Sequence, residues 1–166
     1  MAAFTAFHVA LSLVGIVTGF VVVVGMLNSA PLERWTAIFL ATTAATSITG
    51  FFFPVHRLMP SHVLGLLSLA VLAPTLYARY RHQLSGSWRW VYGVGAVIAL
   101  YFNCFVLIAQ SFAKIPALKA MAPTQSEPPF VVAQAGALVI FGLFGIGVAR
   151  RFRPDGIAAS ESAEPV

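Results

Sequence analysis

The chain has 166 residues, of which 59% are hydrophobic and 9% charged, with a mean hydropathy of +0.88. A soluble domain carries about 25% charged residues, and one this small has too much surface per unit volume to hide so many apolar side chains from water. The formal net charge of +5 does not point to nucleic acid, because no run of Lys and Arg lies on a polar scaffold; the basic residues read as topology signals in a lipid-embedded chain.

A transmembrane helix needs about 20 mainly apolar residues to cross roughly 30 Å of hydrocarbon. Segments 4–27, 36–54, 62–79, 90–112 and 131–149 each meet that need, so the expected fold class is all-α, an integral membrane bundle of five transmembrane helices. The first segment is read as a retained helix and not a signal peptide. It lacks a basic n-region, its apolar stretch is too long, and Pro31 stands where a cleaved chain would begin. It carries Gly15 and Gly19 in a GxxxG pattern, which allows close helix approach. The second span offers matching small residues, with Ala41, Ala45 and Thr49 on one face and Thr42, Thr46 and Gly50 beside it. Packing of these stripes within one chain is expected, with self-association as the alternative.

FFFPVHRLMPSH (51–62) is read as the hairpin joining the second and third spans. It also brings His56, Met59 and His62 to the same side as His8 of the first span. Imidazole and thioether ligate copper, and two axial imidazoles hold a haem b iron, so these four residues form a candidate metal or haem site. A bis-His haem requires His8 and His62 at similar depth with their rings facing. Against the site, Pro60 interrupts helical spacing and carboxylates to orient an imidazole are scarce. In the third span Pro74 removes one backbone donor and predicts a kink.

The fourth span has a polar stripe at helical spacing, Tyr92, Ala96, Ala99, Asn103 and Gln110, and Gln134 enters the fifth span from the same side. Interhelical hydrogen bonding is one use of these amides; a pocket lined by Asn103, Gln110 and Gln134 is the other. Cys104, the single cysteine, reads as a small buried hydrophobe. Within the long connection 113–130, IPALKAM predicts a short interfacial helix and PTQSEPP an extended return, together either a plain crossover or a lid.

Orientation follows from the connections. Arg34, Arg79, Arg81, Arg89, Arg150, Arg151 and Arg153 share one side, against Arg57, Lys114 and Lys119 on the other. The positive-inside bias makes the first side cytoplasmic, with the N-terminus outside and the C-terminus inside. Trp35, Trp88, Trp90, Tyr77, Tyr80 and Tyr92 all fall at that inner boundary, as an aromatic belt should. Two units result, a five-span domain at 1–153 and a disordered cytoplasmic tail at 154–166, small, polar and acidic. None of Glu33, Glu127, Asp155, Glu161 and Glu164 falls within a predicted span, which argues against a proton-driven pump. No hydrolase, metalloprotease or phosphate-loop motif occurs.

At KIPALKAMAPTQSEPPF, ALYFNCFVLIAQSF and FFFPVHRLMPSH the sequence resembles a group of small, uncharacterised bacterial multipass inner-membrane proteins, over most of residues 4–150. That likeness implies a helical protein of the bacterial inner membrane and carries no activity with it. The expected function is a non-catalytic structural, accessory or small-ligand-binding membrane component, whose partners are the bilayer and other membrane subunits or itself, not nucleic acid. A haem b or copper redox protein using the histidines, and a channel or carrier for a small neutral solute along the amide stripe, are the alternatives.

Overall fold

The computed structural model describes residues 2–30, 32–53 and 60–153. His56, Arg57 and Met59, and the tail at 154–166, lie outside the described residues. The described chain forms helices and turns: α1 (Ala2–Leu27), α2 (Glu33–Gly50), α3 (Pro60–Leu76), α4 (Trp88–Lys114), a short α5 (Pro116–Met121) and α6 (Pro128–Arg151). Four helical segments, α1, His62–Arg81, α4 and α6, are long and apolar enough to cross a membrane, which is compatible with a multipass membrane protein. The remaining long helix, α2, is not among them. It has 18 residues, opens on Glu33 and Arg34, and carries five threonines and a serine.

Local chemistry explains the helix ends. At the end of α1, Ser29 adopts a left-handed conformation (φ 52°). The Ala30 N–H then donates to the Gly25 carbonyl at 2.9 Å and the Ser29 N–H to Met26 at 3.2 Å. This is a Schellman closure, usually made with glycine. A non-glycine residue is held there because the Ser29 hydroxyl also donates to the Arg151 carbonyl at 2.9 Å, tying the α1–α2 turn to the end of α6. In α3, the departure from α geometry lies just beyond Pro74, as a π-helical turn at Tyr77–Arg81. There the His82 N–H reaches back to Tyr77 at 3.2 Å. In the last connection, IPALKAM does form a helix, α5, but Pro128 and Pro129, the last two prolines of PTQSEPP, start α6 and do not extend the chain. Proline at the first helical positions costs nothing, since those N–H groups have no partner within the helix.

Successive long helices run antiparallel, and α1, α2, α3 and α4 form a ring in which α4 closes back on α1. Helix α6 lies outside the ring against α4 and α1. One end of the bundle collects His8, His62, Lys114, Lys119 and Glu127, and the other collects the seven arginines from Arg34 to Arg153. The tightest packing lies toward the arginine end, where Val22, Val23, Phe39, Leu40, Leu72, Tyr92, Leu100 and Val148 are all buried to 1% exposure or less. The outward faces are apolar too, with Phe7, Val17, Leu66, Val132 and Leu143 all more than half exposed. An all-round apolar helix needs a non-aqueous surrounding.

Candidate functional site

The polar groups of the spans form three clusters. The first is at the histidine end. His8 lies in the second turn of α1, and its Nδ1 is 2.8 Å from the Thr49 hydroxyl of α2. That hydroxyl also lies 2.7 Å from the Ala45 carbonyl one turn back. A hydroxyl has one proton; given to Ala45, it leaves Thr49 as the acceptor of an N–H from His8 Nδ1. Phe53 packs edge-on against the imidazole at 5.1 Å, and Phe4 packs on Phe53 at 5.0 Å. The His62 ring lies against a different phenylalanine, Phe51, at 5.8 Å. The two rings are thus held by separate neighbours. Among the described residues no three His, Cys, Asp or Glu side chains are placed to share a metal ion.

The second cluster is the seam where α1 meets α2 and α4. A Cβ built on Gly15 would lie 3.2 Å from the Thr42 hydroxyl and 3.6 Å from the Asn103 amide; one on Gly19 would lie 2.6 Å from Leu100 and 2.8 Å from Phe39. The GxxxG surface therefore faces α2 and α4 of its own chain. Asn103 Nδ2 donates to the Thr43 hydroxyl at 3.0 Å, joining α4 to α2 beside Gly15. Most threonines and serines of this seam return a hydrogen bond to their own helix. Thr42 donates to Ile38 at 2.7 Å, Ser47 to Thr43 at 2.9 Å, and Thr18 to Val14 at 2.7 Å. Thr46 Oγ1 is buried with no partner among the described residues.

The expected amide stripe does not form one pocket. Asn103 turns to α2, Gln134 donates from α6 to the Phe105 carbonyl at 3.2 Å, and Gln110 is exposed. Residues 103 and 110 share a helical face, but that face leaves the ring before it reaches Gln110. Near Gln110, the carbonyl of Ala109 accepts instead from Gln125 of the connection, at 2.7 Å. Cys104 is buried in the apolar core, as expected.

The third cluster, at the arginine end, is less legible in the sequence. Tyr92 does not join the interfacial belt. It is 1% exposed, with its hydroxyl 3.2 Å from Thr36 of α2. The Arg79 guanidinium sits 5.5 Å over the Tyr92 ring and 3.7 Å from the exposed Glu33 carboxylate. Trp35, Trp90, Tyr77 and Tyr80 do remain exposed. His82 stacks flat on Trp88 at 4.2 Å, with Tyr77 edge-on to both. The only signal for this cluster was the crowding of aromatics and arginines; which of them turns inward depends on the partner helix.

Comparison with protein-family models, curated proteins and solved structures finds no match to this chain.

Proposed function

We propose that the chain is a small non-catalytic component of a bacterial inner membrane, crossing it five times, with the N-terminus outside and the arginine end in the cytoplasm. One observation carries the functional part. The polar side chains of the spans bridge helices, His8 to Thr49, Asn103 to Thr43, Tyr92 to Thr36 and Gln134 to Phe105. Polar groups used in this way hold a bundle together in lipid.

Counting α2 as the fifth crossing is supported by its path. Contacts with α1 run from Gly25 and Leu32 at one end to His8 and Thr49 at the other. Its 18 residues reach about 27 Å at 1.5 Å each, close to the roughly 30 Å of hydrocarbon. Its hydroxyls return bonds to its own carbonyls, which lowers the cost of placing them in lipid. The bacterial inner membrane follows from the resemblance of the connection 113–130 and the hairpin 51–62 to proteins of that membrane, and the sidedness from the arginines. Other membrane subunits are the natural partners of such a component.

Three measurements test the reading. Reporter fusions are expected to place Met1 outside and Val166 in the cytoplasm; both ends in one compartment would remove the fifth crossing, and Met1 in the cytoplasm with Val166 outside would reverse the orientation. The purified protein is expected to need detergent and to lack a Soret band and stoichiometric copper. Either signal, lost in His8→Ala, would replace this reading with a redox one. In proteoliposomes, neutral-solute flux abolished by Asn103→Leu at unchanged stability would replace it with a carrier.

A further inference from the structure

We propose that the groove between α4 and α6 binds one acyl chain of an anionic phospholipid, with Arg89 meeting its phosphate at the arginine end of the bundle. Between Val97 and Tyr101 of α4 and Leu138, Gly142 and Gly145 of α6 lies an open cavity of about 210 Å³, almost wholly apolar. At ~30 Å³ per water-sized group it has room for about seven such groups. It offers water few hydrogen bonds, so it does not stay wet in a bilayer, and a flexible hydrocarbon chain is what fills it. One turn of an α-helix, 10–12 Å across with its side chains and 5.4 Å in pitch, takes up roughly 400–600 Å³, more than this space holds.

The groove leads somewhere charged. Val94 also lines a shallow notch toward the arginine end, formed with Arg89, Trp90, Ala149 and Phe152. Residues 90, 94, 97 and 101 of α4 and 142, 145 and 149 of α6 follow helical spacing along one continuous track. The Arg89 guanidinium sits 6.0 Å over the Trp90 ring, an exposed indole placed as an interface anchor. Exposed Arg150, Arg151 and Arg153 surround the same end. Among the described residues the one carboxylate there is Glu33, which lies by Arg79 on the α2–α3 side. The notch is thus open and positive, and the track behind it is apolar. That pairing matches a phosphate headgroup joined to an acyl chain.

The inference rests on the membrane reading above and adds a ligand to it. The test measures binding of phosphatidylglycerol and phosphatidylcholine to the delipidated full-length protein in detergent by native mass spectrometry. Wild type is expected to retain one phosphatidylglycerol in preference to phosphatidylcholine. A Cβ at Gly142 meets nothing within 4 Å, so Gly142→Phe is expected to fold and to fill the groove, abolishing retention of both lipids at unchanged melting temperature. Arg89→Gln, at a partly exposed position, is expected to lower the anionic preference about fivefold, the effect of one basic residue near a charged surface. It decides the headgroup question even if Gly142→Phe fails to accumulate. Equal binding of the two lipids by wild type, retention by Gly142→Phe, or a wild-type dimer that Gly142→Phe dissociates would each overturn the proposal. A protein stable without detergent would instead overturn the membrane reading itself.

Discussion

On the side of α4 that faces α1 and α3, the space beside each glycine is occupied, whereas along α6 much of it is empty. Gly95 of α4 lies against Thr75 of α3, and Gly19 of α1 against Leu100 of α4, so that any Cβ would overlap a buried neighbour. Across α4, only Gly93 is closed this tightly by α6, with Val148 at 2.7 Å from its Cβ site; farther along, Gly142 meets nothing. The burial of the two helices follows: 44% of the most apolar stretch of α4 is buried, against 17% for α6. Glycine in a membrane helix therefore serves two opposite ends. It closes a gap when a partner fills the missing Cβ, and it opens one when nothing does.

The comparison breaks first at its tightest point. Gly95→Val is expected to be the most damaging single change, because the fully buried Thr75 side chain stands on the Cβ site. Overpacking of a closed interface costs about 1–3 kcal/mol, and this substitution belongs at or above the top of that range. The check is thermal unfolding in detergent. Gly19→Ala comes next, within the same range but lower, since the atoms that must yield are the ends of Leu100 and Phe39. A melting temperature unchanged by it would mean that α1 and α4 are not as close as described.

Asn103→Leu removes the bond to Thr43 and should cost about 0.6 kcal/mol, with ~1.7 as the upper bound for such bonds in membranes. Its double mutant with Thr43→Val should cost little more than the single change, because the bond is already gone. On the open side, Gly142→Ala should be neutral or stabilising by up to about 1 kcal/mol, since alanine is the better helix former and nothing obstructs it. A loss as large as that of Gly19→Ala would erase the contrast between the two sides.

The smallest effect is confined to the connection before α6. The Glu127 carboxylate accepts from the Thr124 N–H at 3.1 Å, the Thr124 hydroxyl at 2.9 Å and the Ser126 N–H at 3.1 Å. Partial desolvation pushes its pKa up, but its own backbone N–H and these donors outweigh it and hold the carboxyl below its ordinary 4.5. A depressed carboxyl contributes its stabilisation in full above that ordinary value and loses it as pH falls through the folded one. Amide exchange at Thr124 and Ser126, corrected for intrinsic rate, should therefore be slow at neutral pH and accelerate only below about pH 4.5.

The individual elements test how far sequence reasoning reaches. Each of the five predicted spans overlaps a long helix, four of them apolar enough to cross a membrane, and IPALKAM forms the expected short one, because long apolar runs and an amphipathic six declare themselves locally. Proline was the weaker guide. Pro128 and Pro129 open α6, since a proline that cannot continue a helix is well suited to start one. Tyr92 read as an interfacial ring and is buried, because Thr36 and Arg79 meet it from other helices. The amide stripe read as one face and divided among two partners and solvent. Of the candidate site, the positions of His8 and His62 near helix ends and the packing role of Gly15 and Gly19 were legible; the His8 bond to Thr49, 41 residues away, was not.

What the sequence determined by itself is the apolar composition, the long helices and the gathering of arginines at one end. These follow from sums over neighbouring residues, and hydropathy and charge add along the chain. The tertiary structure alone decided which glycines are filled and which stand open, which helix Asn103 bonds to, and where an apolar groove runs toward Arg89. A cavity is the difference between two facing surfaces, and neither helix records the shape of the other.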